Sequence, residues 1–160
     1  GVAVLAAGGI VTGRQMAACM AMGAHGAWTG SVWLTTAEAE TPTIIKEKYT
    51  QASSRDTVRS KYRTGKYSRQ LRSPWTEAWE AEEAPKPLPM PIMSQVSEPA
   101  LARIAKLADG GHSGAKQLTT YWVGQGVGLM DSVQDTKTVV REFMEDYLGA
   151  VERLSGTVEE

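Results

Sequence analysis

The chain has 160 residues, 42% of them apolar and 22% charged, with a formal net charge of −1. That is the composition of a globular protein, and it offers no global attraction to nucleic acid or to an anionic membrane surface. A single cysteine, Cys19, excludes an internal disulfide and suits a reducing, cytoplasmic setting, and no apolar run approaches the roughly 20 residues of a membrane helix.

In chain order, Val2–Ala6 is a continuous apolar run, as expected of a strand buried on both faces of a parallel sheet. The run begins immediately after Gly1, with no methionine and no basic segment before it, so the natural N-terminus is expected to lie upstream. Gly8-Gly9 ends the run. Thr12 is placed to cap a helix whose Met16, Ala17, Met20 and Ala21 share one face, and Gly23 to end it. Gly26–Thr29 resumes a short strand, ending at Gly30-Ser31. Strand, helix and strand within about 30 residues form a βαβ unit, whose right-handed crossover implies a parallel pair.

Val32 to Ala52 reads as helical with a break at Pro42. Thr57 to Arg72 alternates loosely around a Thr-Gly pair, which predicts two exposed strands or a hairpin-like excursion. Ser73, Pro74 and Glu77 open a short helix, and four prolines between Ala84 and Pro91 demand an extended segment. A helix is expected over Glu98–Ala108, stopped by Gly110-Gly111. An apolar, glycine-rich stretch then runs from Leu118 to Met130, and the longest helix from Asp135 to Leu154. Three regions result: 1–52, 53–97 and 98–160.

Open α/β sheets bind ligands at the carboxyl ends of their strands, and glycine there lets the backbone approach an anion. Helix N-termini add free N–H groups and partial positive charge. Gly8-Gly9 and Gly30-Ser31 place two such turns on neighbouring strands, where together they would cradle one phosphate. The plainer alternative is that small residues merely tighten two turns. A dinucleotide site is the nearest competitor, but GGIVTG lacks the G-x-G-x-x-G spacing and no acidic residue follows the second strand. No cluster of His, Cys, Asp or Glu suggests a metal site.

The stretches AAGGIVTGRQMAACMAMGAHGAWTGSVWL, SSRDTVRSKYRTGK, LRSPWTEAWE and WVGQGVGLM carry a resemblance over nearly the whole chain. The sequence resembles the nitronate monooxygenase (2-nitropropane dioxygenase) family of flavin-dependent TIM barrels, which includes an FMN-dependent enoyl-thioester reductase. The resemblance implies an α/β fold: the last two βα units of a (β/α)8 barrel with a mostly helical C-terminal extension. It implies that Gly8, Gly9, Gly30 and Ser31 hold the FMN phosphate and that Gln125 returns toward the cofactor. The family's early strands, flavin-ring contacts and catalytic histidine would precede Gly1, so no catalytic residue is expected in this chain. The remaining half of the barrel becomes its first partner, with a homo-oligomer compatible. The substrate class implied is a small anion, a nitronate or an acyl thioester. A non-catalytic anion- or partner-binding module is the alternative from a different class.

His25, in a helix-to-strand turn, and His112, in a glycine-rich loop, read as bystanders. Arg55, Arg59, Lys61, Arg63, Lys66, Arg69 and Arg72 have only Asp56 for company. Three readings stand for this stretch: a solvated, charge-protected face, a positive lid for an anionic substrate, or a contact to nucleic-acid phosphates. Tyr62 and Tyr67 are too few for a base-stacking platform. Trp75 and Trp79, at i and i+4, read as packing, Trp122 as core or as the wall of a cofactor cavity, and Cys19 as a buried, inert thiol.

Overall fold

A computed structural model describes residues 1–158. It is a mixed α/β structure with two small sheets. Strand β1 (Leu5–Ala7) pairs in parallel with β2 (Gly26–Trp28), Leu5 opposite Gly26, and helix α1 (Gly13–Ala21) makes the crossover. This is the βαβ unit expected from the sequence. Gln15 Oε1 accepts the main-chain N–H groups of Val11 and Thr12 at 2.8 and 3.1 Å, tying the start of α1, and Met22 and Gly23 close it.

The apolar strand is shorter and far more open than its sequence suggests. Val2 is 88% exposed, and Val4 and Leu5 are also exposed. Among the described residues β1 has one strand neighbour, so the double burial expected of a parallel strand is absent here.

The helix expected from Val32 to Ala52 is two elements. A 3-10 turn spans Ser31–Thr35, and α2 runs over Thr43–Gln51 from Pro42 as its cap. The hydroxyls of Thr35 and Thr36 donate back to Val32 O and Trp33 O, and Thr36 bridges to Gln134, so side chains and a tertiary pairing end the turn.

Strands β3 (Thr57–Ser60) and β4 (Ser68–Leu71) form the antiparallel hairpin, with Thr57 opposite Leu71 and Arg59 opposite Arg69. It is not an exposed excursion. Thr57, Ser60, Gln70 and Leu71 are buried, and the Leu71 N–H donates to Tyr121 O at 3.0 Å. Helix α3 (Pro74–Glu80) follows, with Trp75 edge-on to Trp79 and Tyr62 stacked on Trp79 at 5.3 Å.

Helix α4 spans Ile92–Asp109, beginning six residues before the expected start and running through Pro99. Met93, Ser97 and Leu101 fall four apart on one buried face, and that packing outweighs the single hydrogen bond proline removes. Helix α5 (Ser113–Leu118) occupies what reads in the sequence as a loop, capped by His112, whose Nδ1 accepts the Ala115 N–H at 3.2 Å. A further 3-10 turn (Gln125–Leu129) precedes α6 (Thr136–Gly156), which Asp135 caps through the Thr138 N–H at 2.8 Å.

The core gathers Val11, Val32, Ile45, Tyr49, Leu71, Val123, Val127 and Met130. Tyr49 is fully buried and donates its hydroxyl to Trp122 O at 2.7 Å, and burial pushes the phenol far above its ordinary pKa. Helix α1 packs directly on α6: a Cβ on Gly13 would collide with Phe143 O and Tyr147 N, so only glycine permits this approach. Cys19, expected to be buried, is half-buried.

Candidate cofactor-binding site

Three backbone segments converge beyond the carboxyl ends of β1 and β2. Gly8 and Gly9 adopt φ of 102° and 72°, a pair of left-handed residues that only glycine supplies without strain. The Gly124–Gly126 segment is laid against this turn. A Cβ on Gly126 would stand 2.7 Å from Gly9 O, and one on Gly124 would stand 3.4 Å from Gly9 N. Ser31 joins the two, since its Oγ accepts the Gly124 N–H at 2.7 Å. The five residues singled out from the sequence thus fall in one neighbourhood. Gln125 is exposed between its two packed glycines, with no hydrogen-bond partner among the described residues.

The main-chain N–H groups of Gly9, Gly30 and Ser31 donate to nothing among the described residues, and the Ser31 hydroxyl hydrogen is free although its oxygen is used. The helix N-termini contribute less than the sequence implies. At α1 the Arg14 N–H donates to Asp146 at 2.7 Å, and the Arg14 guanidinium binds the same carboxylate and holds its pKa below the usual range. At Gly30-Ser31 the following element is a five-residue 3-10 turn with little dipole. Donors for an anion therefore come from the turns themselves.

A cleft of about 490 Å³ opens beside this cradle, lined by Gly30, Ser31, Leu34, Arg69, Tyr121, Trp122, Val123 and Gly124. Trp122 forms one wall and is 37% exposed, so it belongs to the cleft and not to the core. A cavity of about 270 Å³ at the α1 N-terminus is lined by Asp131, Glu142 and Asp146 with the single cation Arg14, a charge balance that disfavours an anion.

The basic stretch separates into different roles. Arg63 is 3% exposed, so it is neither part of a solvated face nor of a lid. Its Nε and Nη2 donate to Glu98 at 2.8 and 3.3 Å, and its guanidinium lies 3.6 Å from the Trp122 ring centroid and 5.2 Å from that of Tyr121. Nη1 is buried without an acceptor, and the two aromatic faces stand in for one. The Ser97 hydroxyl donates to Arg63 O, locking α4 to the same residue. Arg69, in contrast, points along the cleft. The sequence pattern hid this division, although strand alternation alone places Arg59, Arg69 and Thr57 on one hairpin face.

His25 lies in the turn before β2, where its Nδ1 accepts the Val4 N–H at 3.2 Å. Neither histidine lines the cleft. No group of three or more metal-ligating side chains occurs among the described residues.

Fold and cleft together define a mixed α/β protein with two glycine turns at its parallel strand ends, whose main-chain N–H groups at Gly9, Gly30 and Ser31 are unpaired among the described residues. The chain belongs to the nitronate monooxygenase family, whose model matches residues 1–146. It is 50% identical over 157 residues to a Mycobacterium tuberculosis protein named as a monooxygenase, covering 98% of this chain and 42% of that one. A Staphylococcus haemolyticus protein named as a nitronate monooxygenase is 30% identical over 129 residues, 81% of this chain and 34% of that one. Among solved structures, nitroalkane oxidase from Streptomyces ansochromogenes superposes with a TM-score of 0.79 at 27% identity, over 96% of this chain and 41% of that one. FabK from Thermotoga maritima superposes at 0.74 with 30% identity, over 98% and 48%. The chain thus spans less than half the length of each of these relatives. No helix among the described residues is long and apolar enough to cross a membrane.

Proposed function

We propose that this chain is the FMN-phosphate-binding C-terminal half of a (β/α)8 flavoprotein that oxidises nitronates with oxygen. The observation that carries the reading is the convergence of Gly8-Gly9, Gly30-Ser31 and Gly124–Gly126, with unpartnered N–H groups at Gly9, Gly30 and Ser31. Residues 1–52 supply the last two βα units, 53–97 the wall that carries Arg69, and the described part of the remainder, 98–158, the helical cover. A Cβ on Gly8 or Gly30 would meet no protein atom within 4 Å, so the space beside both turns is open to a ligand.

When bound, the flavin supplies the electron sink that takes two electrons from the substrate and delivers them to oxygen. The turns bind its phosphate through main-chain N–H groups, with the Ser31 hydroxyl as a further donor. Tyr121 and Trp122 line the cleft and exclude water from one side of it. Among the described residues no carboxylate or histidine lines the cleft, so the base that moves the substrate's proton is assigned to the rest of the barrel. The exposed apolar groups Val2 and Val4 leading into β1, Leu5 of β1 and Trp28 of β2 are the surface on which that remainder packs. FabK's likeness at 30% identity supports a second reading, an FMN-dependent enoyl-thioester reductase built on the same cradle.

The experiment is Gly30→Val in the full-length protein. Gly30 has φ −125°, open to any residue, and its added side chain meets no protein atom at Cβ, so the fold is expected to survive. Flavin retention should fall at least about tenfold, a loss of roughly 1.4 kcal/mol of binding, while the thermal transition of the flavin-free protein is unchanged. Wild-type flavin content in the variant overturns the phosphate assignment. Oxygen consumption with a nitronate, set against reduction of an enoyl thioester, separates the two chemistries.

A further inference from the structure

The hairpin places an unneutralised row of cations beside the cleft. Arg59 and Arg69 are directly opposed across β3 and β4, and so project from the same face. Arg59 and Lys61 both lie over the Tyr67 ring, at 5.0 and 4.7 Å from its centroid, which puts Lys61 on that face as well. None of the three forms an ion pair among the described residues, whose salt bridges are Arg14–Asp146, Arg63–Glu98 and Arg141–Glu145. Like charges directly opposite across an antiparallel pair are destabilising. Aromatic contact offsets part of that for Arg59 and Lys61, but Arg69 has no ring beneath it.

Arg69 is instead aimed and held. Its Nη1 donates to Thr57 Oγ1 at 2.9 Å, and the Thr57 hydroxyl in turn donates to Ser54 O at 3.0 Å. Its main-chain carbonyl accepts the Val123 N–H at 3.2 Å, fixing β4 to the segment that leads into Gly124. The half-buried guanidinium lines the cleft alongside Ser31 and Trp122, with its remaining N–H groups free of protein acceptors among the described residues. A preoriented fork with its charge uncancelled, opening into a cleft, is the geometry that receives an oxyanion in two hydrogen bonds.

We propose that Arg69, backed by Arg59 and Lys61, is a second anion subsite that binds a phosphate group of the substrate, separate from the turns that hold the cofactor. This rests on the reading of the cleft as a flavin site. It narrows the substrate from a bare nitronate to a molecule carrying a phosphate remote from its reacting carbon, because three cations match a multiply charged group better than a single negative charge.

The test uses the full-length, flavin-loaded protein, titrated calorimetrically at low ionic strength with inorganic pyrophosphate and, separately, with nitrate. Pyrophosphate should bind the wild type, and at least tenfold more tightly than nitrate. Arg69→Gln should weaken pyrophosphate about tenfold with flavin content unchanged, and Arg69→Lys should recover part of that loss. Arg59→Gln, at an exposed position that cannot disturb the core, should weaken it two- to threefold. The proposal is overturned if the wild type binds no pyrophosphate, if nitrate binds equally well, or if Arg69→Gln and Arg59→Gln leave the affinity unchanged. Loss of flavin from Arg69→Gln also overturns it, by assigning Arg69 to the cofactor phosphate while leaving the glycine cradle intact. Failure of the cradle itself is read separately, from Gly30→Val.

Discussion

In the β1–α1–β2 unit, Leu5 is 48% exposed and Trp28 71%, whereas around the β3–β4 hairpin Arg63 is 3% exposed and Gln70 2%. The first region is apolar and open, the second polar and closed. Hydrophobic content decides what gains from burial, but burial also needs a covering surface. The hairpin has its cover in α4, α2 and the 121–130 segment, where Glu98 and the aromatic faces meet Arg63 and Thr57 meets Arg69, while the buried Ser68 hydroxyl is left without a partner among the described residues. The parallel pair has α1 on one side and, within the described residues, little opposite it.

The strongest way to break this contrast is at Gly13, where the open region packs tightly on α6. Gly13→Val in the full-length protein should cost about 3 kcal/mol, the upper end for forcing volume into a packed contact. A thermal melt within 1 °C of wild type would show that α1 and α6 do not rely on this approach.

The pair of buried Arg63 and half-buried Glu98 offers an asymmetric test of the closed region. Glu98→Gln leaves one acceptor but removes the charge that neutralises the nearly inaccessible guanidinium, and should cost about 3 kcal/mol, the penalty of an uncompensated buried charge. Arg63→Met removes the buried charge and leaves Glu98, whose side chain is 40% exposed, free to turn to water, so about 1 kcal/mol is expected. Equal costs in urea titration would mean that the pair behaves as a surface contact.

Trp28 sharpens the comparison from the other side. If its ring packs on the remainder of the barrel, Trp28→Gln in the full-length protein should cost about 2 kcal/mol, the value of a buried apolar side chain. A change below about 0.5 kcal/mol would mark it as true surface and sink the half-barrel proposal for that face.

The smallest expected effect is electrostatic and concerns Asp146. Its carboxyl pKa is lowered in the folded protein, first by the hydrogen bond from Arg14, so its contribution is complete above the ordinary carboxylate pKa and is lost as pH falls through the lower folded value. Asp146→Asn should therefore melt a few degrees below wild type at neutral pH, with the two curves converging in acid. A gap that persists unchanged at low pH would assign the effect to shape and not to charge.

The sequence by itself determined the local order of this protein: the crossover unit between two glycine turns, the capped helices at Pro74 and Asp135, the hairpin, and the turn residues proposed to hold a phosphate. Those features rest on near-neighbour chemistry, the period of apolar residues, the φ freedom of glycine and the capping of helix ends, all of which are written within a few residues. Only the tertiary structure decided where the charges of the 55–72 stretch go. Arg63 and Arg69 are six residues apart and alike in kind, yet Glu98, 35 residues away from Arg63, draws one inward, while Thr57 across the hairpin aims the other at the cleft. The early start of α4 and the half-helix after Ser31 were hidden for the same reason. Met93, Ser97 and Leu101 extend a helix through Pro99 because a face is there to receive them, and Thr36 stops one because Gln134, far along the chain, offers a bridge.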